Sequence, residues 1–134
     1  MEEKQRRKNH RMIISIPLHV KHINRGSKNT FNLQKPILMK ARDISINGIL
    51  LESTLDIPDD IHFNIDLPLK NMTLNIVTDT VRKYVKDNKF YYGCSFTLQT
   101  EEELNFLRNF INNNYIYQVK NKNPKIKLYP TIRN

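Results

Sequence analysis

The sequence predicts a mainly β fold, a small six-stranded antiparallel barrel followed by one C-terminal α-helix. Three observations predict it. Apolar and polar residues alternate with a period of two in several separate stretches, the pattern of strands with one buried face. Clusters of Gly, Pro, Asn and Asp punctuate those stretches. A single helical stripe stands after them, so there is no βαβ alternation of the kind that builds a parallel sheet. Closure into a barrel is the economical arrangement because it removes exposed strand edges.

The elements follow in order. Ile14, Ile16, Leu18 and Val20 alternate with Ser15, Pro17, His19 and Lys21, giving a first strand. Pro17 has no amide donor, so an edge or an irregularity is expected there. Asn24 to Lys35, with Gly26, Ser27, Asn29 and Asn32, reads as a loop. Ile37 to Arg42 and Ile49 to Glu52 read as strands joined by a turn over Asp43 to Gly48. Ile61, Phe63, Ile65 and Leu67 alternate with His62, Asn64 and Asp66. Pro68 to Asn71 fits a hairpin connection, a strand runs from Met72 to about Val85, and Asp87-Asn88-Lys89 turns the chain again. Phe90, Tyr92, Cys94 and Phe96 form the last alternating set. Thr100 and Glu103 then have capping-box spacing, and Leu104, Leu107, Ile111 and Tyr115 recur at helical spacing. Glu101, Glu102 and Glu103 suit the positive end of that helix. Beyond Tyr117 the chain is polar and basic, with prolines at 124 and 130, and is expected to pack weakly.

Composition limits the function. A chain of 134 residues with 39% hydrophobic content supports one modest core. No apolar run approaches the ~20 residues of a membrane span, and the N-terminal residues lack the apolar stretch of a secretory signal. A cytoplasmic location is therefore expected. Cys94 is the single cysteine, which excludes an internal disulfide and any metal site built from several thiolates. The net charge of +9 points to an anionic partner. Lys4, Arg6, Arg7, Lys8 and Arg11 crowd the start, while Lys120, Lys122, Lys125, Lys127 and Arg133 load the end.

Two clusters carry recognisable chemistry. Arg7 and Arg11 form an R-x-x-x-R pair ahead of the first strand. Guanidinium groups offer planar forks that fit phosphate oxygens or the O6/N7 edge of guanine. Taken alone, such a basic run is more often a solvated arm. Asp43-Ile44-Ser45-Ile46-Asn47-Gly48 is a D-x-S-x-x-G pattern. In extended chain Asp43 and Ser45 share a face, the carboxylate suits the N1 and N2 hydrogens of guanine, and Gly48 permits positive φ or the close approach of a flat base. Taken alone, this pattern is more often a turn held by its own Asp or Ser side chain.

The two patterns in this order resemble the PilZ domain family, whose signature is R-x-x-x-R followed at this distance by D/N-x-S-x-x-G. The likeness extends over Arg6 to Val20, Ala41 to Leu51, Tyr92 to Phe96 and the helix after Thr100, and stops near Tyr117. It implies one PilZ domain over residues 1–118, with a mobile arginine arm over 1–11, a barrel over 12–98 and a helix over 100–118, followed by a basic tail over 119–134. It further implies a receptor for cyclic di-GMP, held between the arm and the outside of the barrel, with no other cofactor. By position Arg7 and Arg11 would grip phosphates and guanine edges, and Asp43, Ser45 and Gly48 would read a base. Arg6, directly before the first motif, would favour a stacked ligand dimer over one molecule. Ligand would order the arm and switch contact with an unidentified downstream protein, with motility, exopolysaccharide production and virulence as the family's outputs.

Other chemistries find little support. Ser45 has no histidine base nearby in the sequence, and no phosphate-binding glycine loop occurs, so no enzyme is expected. His19 and His22, three apart, would fall on opposite faces of a strand, against a metal pair. Cys94 reads as a small buried hydrophobe. Two alternatives stay open, although no DNA or RNA is expected as the ligand. One is a basic barrel that binds single-stranded nucleic acid by charge and aromatic stacking through residues such as Tyr91. The other is a PilZ-like interaction module without a ligand.

Overall fold

The alternating stretches become six strands whose inward faces share one core. The computed structural model describes residues 11–26, 29–98 and 100–121, with the backbone alone at 29–30 and 115–121. The elements are β1 (Met12–Arg25), β2 (Asn29–Ile44), β3 (Gly48–Ser53), β4 (Ile61–Leu69), β5 (Met72–Lys86), β6 (Lys89–Thr97) and α1 (Glu101–Asn121). The strands pair antiparallel and close in the order β1-β2-β3-β6-β5-β4.

The period of two decides what is inside. Met12, Ile14, Ile16, Leu18 and Val20 of β1 face the core, as do Phe63, Ile65 and Leu67 of β4 and Tyr92, Cys94 and Phe96 of β6. Each such large side chain contributes about 1.5–3 kcal/mol of apolar transfer energy. Leu107, Phe110 and Ile111 of α1 join the same core. The helix begins as its capping box predicts: Thr100 Oγ1 accepts from the Glu103 amide at 3.0 Å, and Glu103 Oε1 accepts from the Thr100 amide at 3.3 Å.

Three readings of the sequence change. The loop expected over Asn24 to Lys35 is mostly strand, because β1 runs to Arg25 and β2 starts at Asn29. The polar residues there satisfy one another: Asn64 Nδ2 donates to Asn24 Oδ1 at 2.9 Å, and His22 Nδ1 lies 2.6 Å from Asn32 Oδ1. Gly26, at φ +67°, takes the left-handed conformation at the end of β1. His19 and His22 both point outward, since the register shift between Val20 and His22 breaks the strict alternation. The helix continues through residues 119–121, assigned above to the tail.

Strand prolines mark where the ladder is interrupted. β1 and β4 pair only through His22–Arg25 and Ile61–Asn64. Pro17 and Pro68 lie in the stretches of β1 and β4 beyond that seam, each paired on one side alone. Pro36 falls in the irregular part of β2 between Asn32 and Ile37. Asp87 and Asn88, both at positive φ, form the tight β5–β6 turn.

The connection from β3 to β4 is tied down from β6 and β5. The Tyr92 hydroxyl donates to the Leu55 carbonyl and accepts from the Ile57 amide at 2.9 Å. Lys83 Nζ donates to the Ile57 carbonyl at 2.8 Å and to Asp56. Glu52 of β3 is buried, with Arg42 Nη1 at 2.6 Å and Lys89 Nζ at 3.0 Å. Burial pushes the Glu52 carboxyl upward, but the bonds and charges of Lys89 and Arg42 outweigh it and hold the group below its ordinary 4.5.

Tyr92→Phe removes a buried hydroxyl and strands the Ile57 amide. Its expected cost is about 1–3 kcal/mol in urea denaturation at neutral pH. Because the Glu52 carboxyl is lowered on folding, its contribution is complete above 4.5 and is lost as pH falls through the depressed folded value. The melting temperature should therefore drop between pH 5 and 3, and the drop should be smaller in Glu52→Gln. An equal drop in the variant would remove Glu52 from the acid response.

Candidate functional site

A bulge, a turn and two glycines shape one groove on the outside of the barrel. β2 carries an extra residue, Arg42, between the pairs Ala41↔Leu51 and Asp43↔Leu50. Arg42 turns to Glu52, and the chain proceeds through Asp43 into the tight turn before β3. There the Ser45 amide donates to the Gly48 carbonyl at 2.8 Å, and the Ser45 hydroxyl donates to Asn47 Oδ1 at 3.3 Å. The Asn47 carbonyl accepts from the Phe96 amide at 3.3 Å, which fixes the turn against β6. Ser45 is buried, its hydroxyl committed to the turn, so the local turn reading of the motif describes this residue.

Gly48 owes its place to space, not to dihedral freedom. Its φ is not positive; a Cβ there would stand 3.3 Å from the Cys94 carbonyl and 3.5 Å from Ser45 Oγ. The glycine thus allows β3 to lie close to β6, where Gly48 pairs with Ser95.

The groove beside this turn has a volume of about 350 Å³ and is lined by Arg11, Ser45, Asn47, Gly48, Arg82 and Gly93 among others. Arg11 crosses to Asp43, with Nη2 3.2 Å from Oδ1, and joins positions 32 residues apart. The Arg11 side chain keeps 46% of its surface exposed and Asp43 keeps 23%. Of the candidate site residues, Arg11, Asp43, Ser45 and Gly48 therefore come together. Arg6 and Arg7, with the rest of the arm over 1–10, lie outside the described residues, as does the tail from 122.

Sequence reasoning missed Val81, Arg82 and Gly93. β5 has a register shift between Thr80 and Arg82, leaving Val81 as an extra residue, 72% exposed, at the groove. The signal was present. After Leu74, Ile76 and Thr78, unbroken alternation carries Arg82 onto the buried face, and a bulge is the means of keeping that charge outside.

Cys94 lies under the groove, buried at 5% exposure. Burial pushes its thiol up to about 11, with hydrogen bonds from Thr80 and Thr78 offsetting part of the rise. Among the described residues, no group of three or more His, Cys, Asp or Glu is placed to hold a metal ion. No described helix is long and apolar enough to cross a membrane.

The described residues thus form a closed six-stranded antiparallel barrel with a C-terminal helix and an external groove. The family model described as the PilZ domain matches residues 5–113, and this chain belongs to that family. PilZ domains are binding modules of receptors and effectors of the cyclic di-GMP type. Among solved structures, the chain is similar to the Bacillus subtilis inhibitor of motility, MotI/DgrA, with a TM-score of 0.63 and 15% sequence identity. The match covers 85% of this chain and 53% of that one, so this chain spans about half the length of that neighbour. No curated protein sequence matches.

With its thiol near 11, Cys94 carries about a hundredfold fewer thiolates at pH 8 than at its ordinary 9.0. An aromatic disulfide reagent should label the native protein slowly at pH 8 and the urea-unfolded protein at once. Rapid native labelling would contradict the burial.

Proposed function

We propose that this chain is a receptor for cyclic di-GMP, with the ligand held at the groove between the arginine arm and the β2–β3 turn. The observation that carries the reading is the meeting of Arg11 with Asp43 at the rim of that groove. Arg11 of the first motif and Asp43 of the second, 32 positions apart in sequence, lie within one ligand's reach. The ligand offers two phosphates and two guanines, which suit a basic arm and a carboxylate.

The exchange chemistry supports the reading. A half-exposed Arg–Asp pair is worth about 0–1 kcal/mol. A phosphate oxygen can therefore take the Arg11 fork at little cost, and the Asp43 carboxylate suits the N1 and N2 hydrogens of a guanine. Arg7 acts with Arg11 on the phosphates, Arg6 favours a second, stacked ligand, and Gly48 keeps the surface low enough for a flat base. Ser45 supports the site by holding the turn. Ligand binding draws the arm onto the barrel and creates a surface for a separate downstream protein. The likeness to an inhibitor of motility makes motility the first output to test.

Isothermal titration of the full chain with cyclic di-GMP should give saturable binding, with one ligand per chain for a single molecule and two for a stacked dimer. Arg7→Ala, Arg11→Ala and Asp43→Ala should each weaken it at least tenfold, about 1.4 kcal/mol, with unchanged circular dichroism. Wild-type affinity in all three variants would overturn the assignment.

A further inference from the structure

On this reading of the groove, we infer that Arg82 is a further ligand-recognition residue, which takes the O6/N7 edge of a guanine and is positioned for it by Tyr84 and Tyr91. Three observations on β5 and β6 lead there. The first concerns hydrogen bonding. Arg11, Arg25, Arg42 and Arg108 each donate to a side-chain oxygen, whereas Arg82 is the one described arginine whose guanidinium donates to no acceptor among the described residues. It nevertheless lines the groove, on the strand opposite the β2–β3 turn.

The second concerns its support. Arg82 Cζ lies over the Tyr84 ring, 5.5 Å from its centroid. Tyr84 in turn stacks on its cross-strand partner Tyr91, with centroids 5.2 Å apart and planes 9° from parallel. An arginine resting on a braced aromatic ring has lost part of its rotational freedom before any ligand arrives, and its fork of donors is left open. A bare positive charge needs no such bracing; a planar, bidentate acceptor edge does.

The third concerns space. Arg82 pairs with Gly93, where a Cβ would make ordinary contacts at 3.7 Å with Arg82 Cβ and its carbonyl oxygen and would take up part of the groove. The Val81 bulge sets this register. The bulge, the glycine and the tyrosine pair thus leave one planar cation beside a cleared surface. The guanine edge, with two acceptors spaced for an arginine fork, matches that arrangement.

The test is isothermal titration of cyclic di-GMP against wild type, Arg82→Ala, Arg82→Lys, Tyr84→Phe, Tyr84→Ala and Gly93→Ala, with melting temperatures measured in parallel. Arg82→Ala and Arg82→Lys should both weaken binding about tenfold or more, because lysine keeps the charge and loses the fork. Tyr84→Phe should bind as wild type, Tyr84→Ala should lose several-fold, and Gly93→Ala should fold normally and bind more weakly. Wild-type affinity in Arg82→Lys would overturn the guanine assignment in favour of a phosphate contact. Wild-type affinity in Arg82→Ala, with Asp43→Ala impaired, would overturn the role of Arg82 while leaving the receptor reading intact. No heat with wild type at all would remove both.

Discussion

The seam between β1 and β4 is the constraint on which the rest of the barrel depends. Its backbone pairing is limited to four residue pairs, His22–Arg25 with Ile61–Asn64. Side chains reinforce that short ladder. Asn64 donates to Asn24, Arg25 pairs with Asp60 at 3.0 Å, and the Gly26 amide donates to the Asp60 carbonyl at 3.2 Å. Without the seam, β1 and β4 would both be open edges, and the apolar faces of six strands would have no reason to curl around one centre. Beyond it the two strands part, and Pro17 and Pro68 withhold amide donors there, so the opening does not invite another strand.

Closure explains why the groove is on the outside. Large buried side chains such as Phe63, Tyr92 and Met12 occupy the interior, and the groove beside the β2–β3 turn opens on the outer surface. Chemistry is left to outward positions, and those are aimed by departures from regular pairing. The Arg42 bulge sends that arginine to Glu52 and leaves Asp43 for Arg11. The Val81 bulge keeps Arg82 out of the core and opposite Gly93. Regular alternation builds the wall, and two single-residue irregularities place the charges upon it.

This division also governs how much was legible in the sequence. Inward residues such as Ile14, Ile16, Leu18 and Val20 follow from hydrophobic alternation, and Thr100 with Glu103 announces the helix, because these signals are local. The bulges are not local. The alternation in β5 calls for an irregularity before Arg82, but which residue is the extra one, there or at Arg42, depends on what stands across the ladder. The same reason hid the strand residues between Asn24 and Lys35, whose polar side chains are satisfied by partners on β1 and β4. Asp43 and Gly48 stood out as candidates because their motif is compact. Arg82 did not stand out, because Gly93 across the ladder and Tyr91 behind Tyr84 belong to another strand.

The charge balance of the groove sets its selectivity on the proposed reading. A site holding only arginines would accept any polyanion, nucleic acid included, with affinity governed by salt. Here Asp43 sits against Arg11, so part of the positive potential is cancelled before a ligand arrives. A simple polyanion that takes Arg11 brings a like charge beside the Asp43 carboxylate. A guanine-bearing phosphate takes Arg11 and also supplies hydrogens for the carboxylate. The pair therefore costs the wrong anion more than the right one, and discrimination comes from this built-in opposition. Affinity and selectivity then reside in different atoms: the arginines on the phosphates attract, and the Asp43 carboxylate selects against a bare polyanion.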